Sequence, residues 1–292
     1  DFKKKFIPNS TIGETFESEL YTLKNLKEKT KYDTLALFHT KERNQISVLI
    51  MCKECGCGGE LSHESHGHGM DVHVPVLDAN DRLAERNRGF FAAKNLLVIN
   101  VFSSPGSGKT SLLQKTAEML RGRVRMGVIV GDLATDNDAE RLSRADIPVV
   151  QITTGTMCHL DARMIAEAMK KMPLDDLDVL IIENVGNLVC PASYDLGEGV
   201  RVVLLSVTEG EDKPLKYPPM FHSADVALVT KSDLADAVDF NRDAALAALN
   251  KVAHHAHVIE VSSKTGEGME AWCEEIVERA RRAREGTIQH HG

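Results

Sequence analysis

From residue 96 onward the sequence predicts an α/β fold, a mostly parallel sheet flanked by helices. Three observations predict it. Apolar runs of strand length alternate with helical stretches, a phosphate-binding loop follows the first run, and residues 1–50 ahead are too short to build a sizeable core alone.

The apolar runs are 96–102, 125–130, 149–152, 179–182, 202–207, 226–229 and 258–261. Helical stretches are expected at 111–120, 139–144, 160–171, 240–252 and 269–283, with a lead-in helix over 76–95. Near-continuous apolar strands are buried on both faces, so ligands are expected at their carboxyl ends. Residues 1–50 are lysine-rich, hold four of the nine Phe and receive no assigned chemistry. Residues 51–75 are rich in Cys, Gly and His and read as a mobile metal-binding segment. Met51 opens that different style of sequence, and we expect the native chain to start there; the alternative is a small element appended at 1–50. The nucleotide domain would span 96–285, with 286–292 as a tail.

Of 292 residues, 42% are hydrophobic and 27% charged, ordinary values for a soluble globular protein. The net charge of -8 argues against a nucleic-acid partner. No run approaches the roughly 20 apolar residues that cross a bilayer. No signal core follows the Asp-Phe-Lys-Lys-Lys opening either, so a cytoplasmic protein without a membrane partner is expected. The six cysteines do not read as disulfide staples, because three crowd into one turn and two lie beside expected nucleotide switches.

The phosphate loop is Ser103-Ser104-Pro105-Gly106-Ser107-Gly108-Lys109-Thr110, with Ser103 where the usual pattern has Gly. Gly106, Ser107 and Gly108 would let backbone N–H groups wrap phosphates at a helix N-terminus, where Ser111 follows. Lys109 would reach the β- and γ-phosphates, and Thr110 would hold Mg²⁺. A glycine turn that merely caps a helix is the bland alternative. Thr230-Lys231-Ser232-Asp233 is similar to the guanine-reading element of GTPases, with Thr for Asn: Asp233 would accept two hydrogen bonds that adenine cannot supply, and the Lys231 stem would cover the base. Ser263 and Lys264 would supply the loop that meets guanine O6. Asp132 and Glu183 end two strands and would serve the Mg²⁺ shell or the attacking water, and the Gly186 N–H would sense the γ-phosphate. The bland alternative for Asp132 is an acid at a helix start.

Two groups of residues suit a borderline-soft metal. Cys52, Cys55 and Cys57 lie within six residues, followed by His63, His66, His68 and His73. A redox Cys-x-x-Cys or incidental thiols are the alternatives. Cys158 and His159 follow one strand and Cys190 lies seven residues after Glu183, a set that nucleotide state could move. One subunit supplies too few ligands to close such a site, so a dimer could share the metal. Cys273, beside Trp272 on an apolar helix face, reads as core.

Met-Cys-x-x-Cys-Gly-Cys at 51–57, the phosphate loop, Cys158-His159-Leu160-Asp161-Ala162, the run from Glu183 to Pro191 and the run from Asp212 to Pro218 together resemble the HypB family of hydrogenase nickel-incorporation GTPases, over essentially 51–285. That resemblance implies a SIMIBI-type G domain and a slow GTPase acting as a nickel metallochaperone with GTP/GDP, Mg²⁺, Ni²⁺ and Zn²⁺. It implies a homodimer dependent on nucleotide or metal, a zinc-binding partner that delivers nickel, and the hydrogenase large subunit as target. It also implies a tight nickel site at Cys52, Cys55 and Cys57, and a zinc or nickel site at Cys158, His159 and Cys190. In such relatives the Met-Cys start is the chain terminus, whereas 50 residues precede Met51 here. The competing readings are a urease-type nickel-insertion GTPase, which lacks the Cys-x-x-Cys-Gly-Cys segment; a nickel or zinc storage protein with a weak nucleotide site; and a GTPase chaperone of a cobalamin enzyme, which the cysteine placement disfavours.

Overall fold

The computed structural model describes residues 34–40, 45–51, 73–132, 142 and 145–286, with side chains from residue 77 onward. The chain divides into two compact units, 1–67 and 68–292.

In the first unit, β1 (Thr34–Thr40) pairs antiparallel with β2 (Gln45–Met51), Thr34 opposite Met51. The sequence reading assigned no strands here. The runs are apolar enough, but Lys41-Glu42-Arg43-Asn44 between them has no glycine and gives no hairpin signal.

The second unit opens with α1 (His73–Ala93) and runs through β3 (Leu97–Phe102), α2 (Lys109–Leu120), β4 (Met126–Asp132), β5 (Val149–Thr153), α3 (Ala162–Met169), β6 (Val179–Glu183), β7 (Val200–Ser206), α4 (Lys213–Lys216), α5 (Pro218–His222), β8 (Val226–Thr230), α6 (Arg242–Val252), β9 (His257–Val261) and α7 (Met269–Arg284). All seven expected strands are present, in the order β5-β4-β6-β3-β7-β8-β9, and every neighbouring pair is parallel. The expected helix at 139–144 lies outside the described residues apart from Leu142. Two short helices, α4 and α5, lie where the sequence analysis placed none; prolines occupy their first turns, where a missing N–H costs nothing.

Caps set the helix starts. Asp161 accepts a 2.7 Å hydrogen bond from the Met164 N–H to open α3, and Asn241 accepts one of 3.0 Å from the Ala244 N–H to open α6. The core lies on both faces of the sheet, and the alternation along β3 sorts it. Leu97, Ile99 and Val101 pack with Leu112, Leu113 and Trp272 of α2 and α7, while Val98 packs with Phe91 and Ile165 of α1 and α3. Cys273 is fully buried, and burial pushes its thiol pKa up to about 11, so it is a core residue. No helix among the described residues is long and apolar enough to cross a membrane.

Candidate functional site

Because β3 is central, the loop after it meets the loops after β6 and β7, its neighbours on either side. That is where a parallel sheet opens a crevice. The chain turns from β3 into α2 through Gly106 (φ 76°) and Gly108 (φ 93°), both left-handed, so the loop curls and α2 starts at Lys109. Ser103, the departure from the usual pattern, is fully buried. Its hydroxyl accepts a 2.7 Å hydrogen bond from Lys109 Nζ and donates one of 2.6 Å to the Ser104 carbonyl. The serine therefore holds the lysine inside its own loop. Ser107 donates 2.5 Å to Glu209, which also pairs with Lys213 of α4 at 3.4 Å. Ser111 lies in the first turn of α2.

The base-reading candidates converge on the same end of the sheet. Thr230, at the end of β8, donates 2.9 Å to the Ser107 carbonyl, and Lys231 Nζ donates 2.7 Å to the Gly106 carbonyl. Lys231 is itself left-handed (φ 59°), and its Cε lies 3.7 Å from where a Gly108 Cβ would stand. Its stem thus folds back over the phosphate loop. Asp233 accepts a 2.6 Å hydrogen bond from the Ser262 hydroxyl and faces Lys264 Nζ at 3.8 Å, which joins the two candidate guanine-reading segments. Ser263 follows Ser262 in that second segment.

Thr110 Oγ1 donates 3.0 Å to Glu183 Oε1, and both residues are buried. A hydroxyl beside a buried carboxylate is a hard oxygen pair that fits Mg²⁺. Glu183 is paired in register with Val130, so Asp132 lies two residues further along β4, on the same side of the strand and at the crevice. Gly186 packs on the loop: a Cβ there would sit 3.1 Å from the Pro105 backbone.

The segment after Glu183 then reaches the thiols. Cys158, His159 and Cys190 bring their ligand atoms within 4.8 Å of one another, the only such group among the described residues. Cys158 and Cys190 Sγ are 3.0 Å apart. Two thiolates on one tetrahedral ion, each at about 2.3 Å, stand about 3.7 Å apart, so the halves must part by several tenths of an ångström to admit it. His159 is stacked on Tyr194, ring centroids 3.9 Å apart and planes at 24°, and Asn187 Nδ2 donates 3.3 Å to the Cys158 carbonyl. Burial pushes the His159 pKa down against the opposing pull of Asp161, which favours the neutral, ligating imidazole. Its Nδ1 is buried with no hydrogen-bond partner, as a nitrogen reserved for a metal would be. Two thiols and an imidazole suit zinc or nickel.

Cys52, Cys55, Cys57, His63, His66 and His68 lie outside the described residues; His73 is the first residue of α1. Sequence reasoning read Ser262, in the Ser262-Ser263-Lys264 run, and Asn187 only as parts of motif runs, without the roles their side chains take here, and it missed Glu209 and Tyr194. Glu209 meets Ser107 from 102 positions away, so no local spacing could have flagged it. Tyr194 stood four residues past Cys190 without a motif to single it out.

Comparison with known proteins agrees with this fold. The CobW/HypB/UreG nucleotide-binding domain model matches residues 97–260. Hydrogenase maturation factor HypB of Escherichia coli (strain K12) is 52% identical over 203 residues, 70% of each chain. The crystal structure of HypB from Helicobacter pylori in complex with nickel superposes with a TM-score of 0.69 at 39% identity, covering 73% of this chain and 99% of that one. HypB from Archaeoglobus fulgidus gives a TM-score of 0.66 at 40% identity, covering 70% of this chain and 99% of the other.

Proposed function

The chain belongs to the CobW/HypB/UreG family and within it to the HypB hydrogenase maturation factors, and from that footing we propose how its residues couple a nucleotide to a metal. It is a P-loop GTPase-family protein that handles nickel in hydrogenase maturation. The finer reading is a slow GTPase whose turnover directs nickel from the thiols of Cys52, Cys55 and Cys57, or the histidines after them, toward a partner and on to the large subunit of a nickel–iron hydrogenase.

One observation carries the coupling. The single stretch 183–194 touches the phosphate loop at one end, through Glu183 and Gly186, and the Cys158–His159 segment at the other, through Asn187, Cys190 and Tyr194. Lys109 exchanges Ser103 for the β- and γ-phosphates of GTP, while Gly106, Ser107, Gly108 and Ser111 line the phosphates. Thr110, Asp132 and Glu183 hold Mg²⁺, which when bound offsets phosphate charge. Asp233 reads guanine with Lys231, Ser263 and Lys264 around it. The Gly186 N–H follows the γ-phosphate, so its loss lets 183–194 shift and changes the spacing of Cys190 from Cys158 and His159. Two nucleotide states then hold the metal, zinc or nickel, with different affinity. Three ligands leave a tetrahedral site open, which suits a second copy of the chain bound in a nucleotide- or metal-dependent way.

The test is a nickel titration of the full chain carrying Cys52, Cys55 and Cys57→Ser, followed by thiolate-to-metal absorption, with GDP and with a non-hydrolysable GTP analogue. Affinity should differ between the two states by severalfold and vanish in Cys190→Ala. Equal affinity in both states would remove the coupling.

A further inference from the structure

The buried face of α1 carries two asparagines two turns apart, Asn80 and Asn87, exposed by only 5% and 2%. Asn80 Oδ1 accepts 2.9 Å from the Ala162 N–H, and its Nδ2 donates 2.8 Å to the Asp195 carbonyl. Asn87 Nδ2 donates 2.9 Å to the Ala162 carbonyl and 3.1 Å to the Leu196 carbonyl. Ala162 is three residues past His159, and Asp195 and Leu196 are five and six past Cys190. Each asparagine therefore bridges the two loops that carry the thiol–imidazole cluster.

Further contacts lock α1 to the second loop. Arg88 donates 2.6 Å to the Glu198 carbonyl and pairs with the Asp195 carboxylate. Gly197 (φ 92°) lies so close that a Cβ would stand 2.6 Å from the Ala84 carbonyl. Glu198 accepts 3.2 Å from Asn100 Nδ2, and Asn100 Oδ1 accepts 3.3 Å from Asn184 Nδ2, one residue after Glu183. Helix docking alone does not call for this. Apolar residues such as Phe91 and Ala84 dock α1 without desolvating amides, whereas a buried asparagine costs free energy unless fully paired. What hydrogen bonds add is direction, and a metal centre needs it, because ligand distances must hold to about 0.2 Å.

We propose that Asn80 and Asn87 are positioning residues of the Cys158–His159–Cys190 centre, a clamp on α1 that sets the separation of its two halves. This rests on the reading of that cluster as a metal site. It also makes α1, the helix that follows the Cys52, Cys55 and Cys57 segment in sequence, a part shared with the nucleotide-responsive loops.

The experiment is a Co²⁺ titration of the full chain with Cys52, Cys55 and Cys57→Ser, read by thiolate charge-transfer and d–d bands. Asn80→Leu and Asn87→Leu keep the branched outline of the side chain and the apolar docking of α1, with somewhat more bulk, but remove the clamp. Each should weaken Co²⁺ binding by about tenfold or more and shift the d–d bands, while affinity for a fluorescent GDP stays within about twofold of the parent, a change too small to mark a lost contact. Trp272→Phe, which loses the 3.0 Å hydrogen bond to Thr116 on the opposite face of the sheet, controls for general destabilisation and should leave the bands unmoved. Parent-like Co²⁺ affinity and bands in both Asn variants would overturn the clamp. A parent chain without Co²⁺ bands would sink the metal centre and the clamp with it. The two failures are therefore distinguishable.

Discussion

The Ser262 hydroxyl illustrates how a residue of one candidate motif supports a residue of another. In the guanine-reading role proposed for it, Asp233 would need its carboxylate held in place, and the 2.6 Å hydrogen bond from Ser262 holds it. A hydrogen bond to a charged group contributes about 1.5–3 kcal/mol, so Ser262→Ala should weaken GDP binding by about tenfold or more. A fluorescent GDP titration checks this, and parent-like affinity would show that Asp233 needs no support. The same logic explains Ser103. A glycine there would give the loop more freedom, but serine gives Lys109 a polar partner at 2.7 Å within the buried loop.

At the scale of elements, ion pairs organise the end of the sheet opposite the crevice. Asp178, just before β6, accepts hydrogen bonds from the Arg125 backbone at 2.9 Å and its guanidinium at 2.8 Å, and pairs with Arg284 of α7 at 2.8 Å. Burial pushes its carboxyl up, but the Arg125 hydrogen bonds and the Arg284 charge outweigh it and hold the pKa below the ordinary 3.8. A carboxyl depressed on folding stabilises the chain above its unfolded pKa and loses that contribution as pH falls through the folded value. Asp178→Asn should thus lower the melting temperature at pH 7 by a few degrees. It should also flatten the fall in melting temperature below about pH 4. Thermal melts from pH 7 to pH 3 measure both, and parallel curves for parent and variant would refute the assignment. The half-exposed arginines limit the size of the effect through solvent screening.

For the whole molecule, the division after Gly67 gives a direct expectation. A chain of residues 68–292 keeps the complete seven-stranded sheet and every described nucleotide-site residue. It should bind GDP as the full chain does, and lose the nickel absorption expected of a site at Cys52, Cys55 and Cys57. Nickel and GDP titrations of the two chains compare them; unchanged nickel stoichiometry would remove the N-terminal site. The competing urease-type reading gains no specific support from the geometry.

Local periodicity determined the fold: seven apolar runs became seven parallel strands, because the five inner strands are buried on both faces and must be apolar along nearly their whole length, while the edge strands β5 and β9 are only partly covered. Motif spacing marked Lys109, Thr110, Glu183, Asp233, Cys158, His159 and Cys190, because phosphate, guanine and metal impose short, local patterns. The β1–β2 hairpin and the helices α4 and α5 escaped, since their turns and prolines carry signals that point elsewhere. Only the tertiary structure decided that Ser262 holds Asp233, that Tyr194 stacks on His159, and that Asn80 and Asn87 bridge the loops behind the thiols. Those contacts join residues 29, 35 and up to 115 positions apart. Strand order alone brings them together, and hydrogen bonds at such separations leave no periodic trace along the chain.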